Sequence, residues 1–241
     1  ESGCEWGCFD YSQQEPRLVV HYASLDQDTS VFNVKDSYLS SDADFHTIVA
    51  KMADIPRDQA KTINLGLFYG MGKAKLQAEL GVSKDKAEEL FSVYHERVPF
   101  VKRLMRSVSN RAQQRGQIRT LLGRLCRFHL WEPNRFGINK ALPFEEAILE
   151  HGQGNIRRAY TYKALNKLIQ GSAADMTKKS MLDLYKEGII AHIQIHDELD
   201  LSVESPDQVK KIIEIMENAV TLEIPNKVDY ESGKNWGDIY D

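Results

Sequence analysis

Cysteine is scarce, occurring only at Cys4, Cys8 and Cys126, an odd count without the paired CxxC spacing of a complete four-ligand zinc site. That argues against a disulfide framework and makes a reduced cytosol the simplest setting. No apolar run approaches the ~18 residues needed to span a bilayer, and no basic stretch followed by an apolar one opens the chain, so no membrane is expected as a partner. With 7 prolines and 15 glycines in 241 residues, no internal repeat or low-complexity segment appears. Net positive charge is also missing: 31 Lys and Arg against 35 Asp and Glu give −4.

What is present is an ordinary folded composition, 42% hydrophobic and 27% charged, enough for one sizeable core or two small ones. The first residue is Glu1 rather than Met, so the chain reads as part of something longer. Its charge is unevenly spread. Over residues 97–140, Arg97, Lys102, Arg103, Arg106, Arg111, Arg115, Arg119, Arg124, Arg127, Arg135 and Lys140 face one acid, Glu132, while acids gather in 183–241. An overall acidic chain can therefore carry a basic surface that follows phosphates, or a merely solvated basic helix.

Periodicity predicts a strand over 8–13, a helix from Pro16 to about Ser24, and a polar, turn-rich stretch over 25–43. Residues 44–115 carry helical segments broken near Pro56, Gly72, Gly81 and Pro99, and 117–130 read as a hairpin around Gly123. Residues 131–154 have weak periodicity and read as an insertion or ordered loop. A long helix over about 156–187 leads to a tight hairpin, 190–203, with His196, Asp197 and Glu198 at its tip. A helix at 206–219 and a short strand near 227–230 close the chain. Strands at both ends around a helical block give an α+β class: an antiparallel sheet with a large inserted helical subdomain.

Three groups carry chemistry. Asp10 ends a strand and Asp197 sits at a hairpin tip, so a sheet pairing these strands brings two carboxylates to one edge, enough to bridge two Mg²⁺ ions ~3.5–4 Å apart. Taken singly, each Asp is equally at home in a turn or cap. In RDQAKTINLGLFYG (57–70), Arg57, Lys61, Leu65 and Tyr69 recur every four residues as one helical stripe. Two unpaired cations do not suit a core face, whereas they suit a triphosphate, with Leu65 behind the sugar and base and Tyr69 near the templating position. Gly66 and Gly70 within that helix suggest a bend or the close approach of a partner. Asn166 and Gln170, at i and i+4, can donate amide hydrogens to minor-groove acceptors.

Together these stretches resemble the DNA polymerase I family, also called family A. DYSQQEPR (10–17) is similar to its motif A, RDQAKTINLGLFYG (57–70) to its motif B, and HDE (196–198) to its motif C, in the family's order. FHT (45–47), TLLGR (120–124), LNKLIQGSAAD (165–175) and GKNW (233–236) add to the match. The resemblance implies a right-hand polymerase lacking its thumb: palm over 1–30, fingers over 31–157 with the motif B helix at 57–71, and palm again over 158–241. It implies transfer of dNMP from dNTP to a primer 3′-hydroxyl with release of pyrophosphate, primer-template DNA and dNTPs as partners, and two Mg²⁺ ions, replaceable by Mn²⁺. Thumb, first palm segment and exonuclease domains precede motif A in the family, so the same or another chain is expected to supply an N-terminal portion. The expected setting is the cytoplasm, that of a host for a phage protein, or an organelle.

The roles implied are Asp10, Asp197 and Tyr11 at the metals, Glu198 as an auxiliary carboxylate, and Lys61 with Asp10, Asp197 and Glu198 as the catalytic set. Glu15 matches a steric gate that excludes a 2′-hydroxyl, held at the strand-to-helix junction by Pro16. His46, Arg57, Lys61, Leu65 and Tyr69 match dNTP contacts, Asn166, Gln170 and His196 match contacts to DNA, and Arg17, grouped with the DNA contacts, supports the primer or the gate. Four features depart from the family: Leu65 in place of Phe or Tyr, Tyr162 in place of Arg, Pro16 in place of Leu, and a longer 131–157. They point to a divergent phage or organelle type. Rival readings are a two-metal nuclease, which leaves the 57–70 stripe and Glu15 unexplained, a helical structural domain, and a non-catalytic DNA-binding remnant or subunit of a split polymerase.

Overall fold

In the computed structural model, described over residues 3–40, 44–68, 73–135, 137 and 139–240, the chain forms two units: Glu1–Phe45 with Ser172–Asp241, and His46–Gly171. In chain order the elements are β1 (Glu5–Tyr11), α1 (Gln14–Leu25), α2 (Phe32–Ser40), α3 (Phe45–Ala53), α4 (Arg57–Phe68), α5 (Lys73–Leu80), α6 (Lys84–Arg97) and α7 (Pro99–Arg115). Next come β2 (Gln117–Arg119), β3 (Leu125–Arg127), β4 (Trp131–Pro133), α8 (Phe144–His151), β5 (Ile156–Arg158) and α9 (Ala164–Lys186). The chain finishes with β6 (Ile193–Ile195), β7 (Glu198–Val203), α10 (Pro206–Asn218), β8 (Val228–Gly233) and α11 (Gly237–Tyr240). The mixed helical and antiparallel class expected from sequence holds.

The first unit is built on a four-stranded sheet in the order β6-β7-β1-β8, with β1 antiparallel to both neighbours. Side chains alternate across a strand, so β1 sends Phe9 and Tyr11 to one face and Cys8 and Asp10 to the other. The apolar face is the core: Phe9, Leu199 and Leu201 are at most 1% exposed, and the Phe9 ring lies 4.8 Å from that of Tyr230. The Tyr11 hydroxyl shares a hydrogen bond with Ser180 of α9 and donates to the Met216 carbonyl of α10, which fixes both helices over this face.

Between β1 and α1 the backbone turns through Gln13 at φ 53°, and its side-chain oxygen accepts from the Tyr38 hydroxyl and the Phe45 N–H. These bonds draw α2 into the first unit, where Val34 and Tyr38 are buried one turn apart. Residues 32–40 are thus helical, correcting the turn-rich expectation for 25–43: two buried side chains at i and i+4 outweigh the polar remainder. The two units divide at 45/46 and 171/172.

In the second unit, α4 turns Ala60, Ile63, Asn64, Leu67 and Phe68 inward. Gly66 lets α5 approach closely, since a Cβ there would lie 2.9 Å from Leu76 Cδ1 and would push that side chain aside. Gly70 and Gly72 lie outside the described residues. The expected hairpin over 117–130 is present as β2 and β3. The long helix expected over 156–187 begins only at Ala164, because 156–158 pair with β4 instead. Arg158 explains this: its guanidinium sits 4.5 Å over the Trp131 ring and donates to the Phe128 and Gln113 carbonyls, bonds that an extended backbone aims correctly. Within 131–154, read as a loop, β4 and the short helix α8 occur. No helix among the described residues is long and apolar enough to cross a membrane.

Candidate active site

In the first unit, strand register decides which carboxylates meet. Asp10 of β1 is opposite Glu198 of β7 and opposite Asp229 of β8, while Cys8 is opposite Asp200 and Glu231. All point to the same face, because residues two apart on a strand share a side. Asp197 precedes β7 at the turn from β6, and its carbonyl accepts the Tyr11 N–H at 3.3 Å. The turn is tight: His196 has φ 53°, and its carbonyl accepts from the Gln194 side chain at 2.7 Å. Sequence reading placed Asp10, Asp197 and Glu198 together, and they are together.

Crowding these groups has an electrostatic consequence. The half-buried Asp10 carboxyl is pushed up to about 7, first by burial and then by the charges of Asp197, Glu198, Asp229 and Glu231. Asp197 is also raised by burial, with its own backbone N–H and His196 acting in the opposite direction. A group of carboxylates that resist ionising beside one another is matched chemically to a hard divalent cation, which the hard oxygen donors of Asp10 and Asp197 fit. Asp229, Glu231 and Asp200 were not picked out from the sequence. The available signal was the period-two spacing of acids in Asp229–Glu231 and Glu198–Asp200, which puts each pair on one face of a strand.

Burial limits how two motif A residues can act. The Tyr11 side chain points into the core, and burial pushes its hydroxyl up to about 12, so only its main chain remains for a cation. Arg17, expected to support the primer or the gate, is 4% exposed: Nε donates to the Ser12 carbonyl, Nη1 to that of Pro225, and the guanidinium lies 4.7 Å over the Tyr38 ring. It braces the junction that carries Glu15, which is half-buried in the first turn of α1.

In the second unit, Arg57 and Lys61 are exposed and Leu65 is half-buried, so the stripe on α4 faces away from that unit's core as expected. Arg57 Nε donates to the Thr47 hydroxyl at 3.2 Å. Tyr69 lies outside the described residues. His46, expected at a phosphate, is 7% exposed, and its Nδ1 is 3.0 Å from the Asn64 amide nitrogen. Asn64 is wholly buried and its oxygen accepts the Tyr94 hydroxyl, so the amide donates to Nδ1 and a neutral His46 ring keeps its proton on Nε2. Nothing local in the sequence singled out Asn64 or Tyr94, which lie 30 residues apart.

Asn166 is half-buried and Gln170 exposed on α9. Next to them, Arg124 donates to the Gly171 carbonyl at 2.6 Å, and a Cβ at Gly171 would lie 2.7 Å from Thr120 Cγ2. The TLLGR stretch therefore packs against α9 at Gly171. Of the basic segment, Arg103, Arg106, Arg111, Arg115, Arg119, Arg124, Arg127, Arg135 and Lys140 are exposed, a cationic surface on this unit.

Residues 1–238 match the family model for DNA polymerase family A. The chain belongs to DNA polymerase family A. It is 34% identical to a DNA-directed DNA polymerase of Pseudomonas phage M6, a match covering 98% of this chain and 39% of the relative. It is also 34% identical to DNA polymerase I of Bacillus caldotenax, covering 98% of this chain and 26% of that protein. Among solved structures it is similar to the POL domain of Pol1 from M. smegmatis in complex with DNA primer-template and dNTP, with TM-score 0.78 and 27% identity over 100% of this chain and 41% of that one. This family A chain thus spans well under half the length of these relatives.

Proposed function

We propose that this chain supplies the palm and fingers of a template-directed DNA polymerase, acting with further polymerase segments from the same or another chain. The observation that carries the reading is the register that sets Asp10 opposite Glu198, with Asp197 at the adjoining turn and the Asp10 carboxyl raised by its neighbours. On this reading Asp10, Asp197 and the main-chain carbonyl of Tyr11 hold two Mg²⁺ ions, with Mn²⁺ able to replace them. When bound, the ions would lower the pKa of the attacking 3′-hydroxyl and neutralise the leaving oxygen.

The chain's own residues do the rest. Arg57 and Lys61, exposed on one side of α4, grip the triphosphate, and His46, fixed by Asn64, offers its Nε2 proton to a phosphate oxygen. Glu15 closes the space beside the sugar's 2′ carbon, Leu65 backs the sugar and base, Tyr69 stacks at the insertion site near the templating position, and Glu198 lies near the primer end. Asn166, Gln170 and His196 contact the primer-template. Arg17 acts indirectly, by holding the segment that carries Glu15.

Mg²⁺-dependent extension of a primed DNA template tests the proposal, using this chain alone and joined to an N-terminal polymerase portion, with Asp10→Ala as control. Extension that disappears in the control supports the polymerase. Absence of extension in both forms, with DNA binding retained, would replace it by a non-catalytic DNA-binding role.

A further inference from the structure

Below Asp10 and Glu198 on the same sheet face lies a second group of ligand-type side chains. The Cys8 sulfur and a carboxylate oxygen from each of Glu198 and Asp200 lie within 4.8 Å of one another. Cys8 is 3% exposed and Asp200 0%. No backbone N–H and, among the described residues, no Lys, Arg or His answers the Asp200 carboxyl; beside it lie only the Cys8 thiol, which favours its ionisation, and Glu198, and burial together with Glu198 raises it to about 6.

A fully buried carboxylate whose one nearby donor is a weak thiol is an expensive arrangement, because little of the desolvation of its charge is compensated. The strand would be at no geometric disadvantage with an apolar residue at this position, since neighbours on the opposite face, Leu199 and Leu201, are buried apolar side chains of the same β7. Opposing strands put Cys8 directly across from Asp200, and alternation puts Glu198 two residues along on the same side. A thiol and two carboxylates therefore converge where no cationic side chain answers Asp200.

We propose that Cys8, Glu198 and Asp200 form a binding site for a thiophilic divalent cation of the zinc class. A thiolate ligand favours Zn²⁺ and its analogues over Mg²⁺, which prefers an all-oxygen shell. Zn–S bonds of ~2.3 Å and Zn–O bonds of ~2.0–2.2 Å need ligand atoms somewhat closer than the upper limit seen, a difference that side-chain rotation can close. Water fills a fourth, tetrahedral position, and the Cys8 thiol proton passes to solvent as the sulfur–metal bond forms. The site is chemically separate from the all-oxygen Asp10 and Asp197 pair but shares Glu198 with its surroundings, so an occupying ion holds that carboxylate down toward Asp200. Binding is independent of whether the chain polymerises DNA.

The test is Co²⁺ titration of the purified chain, with excess Mg²⁺ present to fill hard-oxygen sites. The expected result is a near-ultraviolet thiolate-to-cobalt band that saturates at one ion per chain and is displaced by Zn²⁺. A Cys4→Ser, Cys126→Ser double variant keeps the band, Cys8→Ser loses it, and Asp200→Asn weakens binding by roughly 10–100-fold or more. No band in the unaltered chain, a band that survives Cys8→Ser, or affinity indifferent to Asp200→Asn overturns the site and leaves Asp200 as a carboxyl buried in its protonated form. Should Cys8→Ser fail to fold, thermal melting decides: Zn²⁺ raises the Tm of the unaltered chain and not that of Asp200→Asn, and an equal rise in both refutes the proposal.

Discussion

Asp10 and Glu198 stand directly opposite each other on antiparallel β1 and β7, and this one register brings the metal-type carboxylates of two sequence regions some 190 residues apart onto a single sheet face. Moving the pairing by one residue would turn one strand's acids into the apolar core, where Phe9 and Leu199 now meet. The core face thus enforces the acidic face.

Asp197→Asn keeps the side chain's size and removes its charge. Loss of several kcal/mol of charge stabilisation at the reacting phosphate corresponds to ~10³-fold or more in incorporation rate. Single-turnover incorporation and DNA affinity, measured together, should fall and hold respectively; near-normal incorporation removes Asp197 from the reaction.

Without divalent cations, Asp10 should make stability fall as pH rises. Its folded-state pKa is about 7 against an ordinary 3.8, so between these values the native state binds more protons than the unfolded one. Its unfavourable contribution starts above about 3.8 and is complete above about 7. Asp10→Asn should accordingly melt higher than the unaltered chain at pH 8, with the gap closing near pH 4. Thermal melts in chelator across this range check it, and a gap independent of pH contradicts the origin of the shift.

Glu15→Ala should relax sugar selection. With the side chain beside C2′ removed, the ratio of dNTP to rNTP use should drop by at least tenfold, about 1.4 kcal/mol, while dNTP incorporation persists. Competing extension with matched dCTP and CTP measures it; an unchanged ratio takes the gate away from Glu15.

Asn64→Leu should damage both fold and nucleotide use, because it strands the Tyr94 hydroxyl and unpins His46. Leaving a buried hydroxyl unpartnered costs about 1–3 kcal/mol, and the Tm should fall by roughly 2–4 °C for each kcal/mol. If His46 meets a phosphate, KM for dNTP rises as well; a lower Tm with unaltered KM confines Asn64 to a packing role.

Gly171→Ala sets two effects against each other. Helix propensity gains about 1 kcal/mol, while forcing a methyl against Thr120 Cγ2 costs about 1–3 kcal/mol. Adding Thr120→Ser removes that methyl, so the double variant should be more stable than Gly171→Ala alone by more than Thr120→Ser changes the parent. Denaturant unfolding of the four proteins yields the coupling, and simple additivity denies the contact.

Much of this was legible in one dimension. The alternation around β7, the i, i+4 stripe on α4 and the turn chemistry at Gly123 are local periodicities, and local backbone preference expresses them directly. The helix at 32–40 was missed because only Val34 and Tyr38 mark it, and Tyr38 draws its support from Gln13 and Arg17. The late start of α9 was missed because Arg158 is held extended by Phe128, Gln113 and Trp131, partners some 27–45 residues away.

The sequence by itself determined the chemical alphabet of the site: which strand ends carry Asp10 and Asp197, which helix face carries Arg57 and Lys61, and which family these motifs belong to. Only the tertiary structure decided that Arg17 and the Tyr11 side chain are buried supports, that His46 is aimed by Asn64 and Tyr94, and that Cys8, Glu198 and Asp200 converge. The reason is physical. Periodicity is a property of neighbouring residues and sets which way a side chain points, whereas burial and charge depend on strand pairing and on contacts between residues far apart in the chain, which no local pattern encodes.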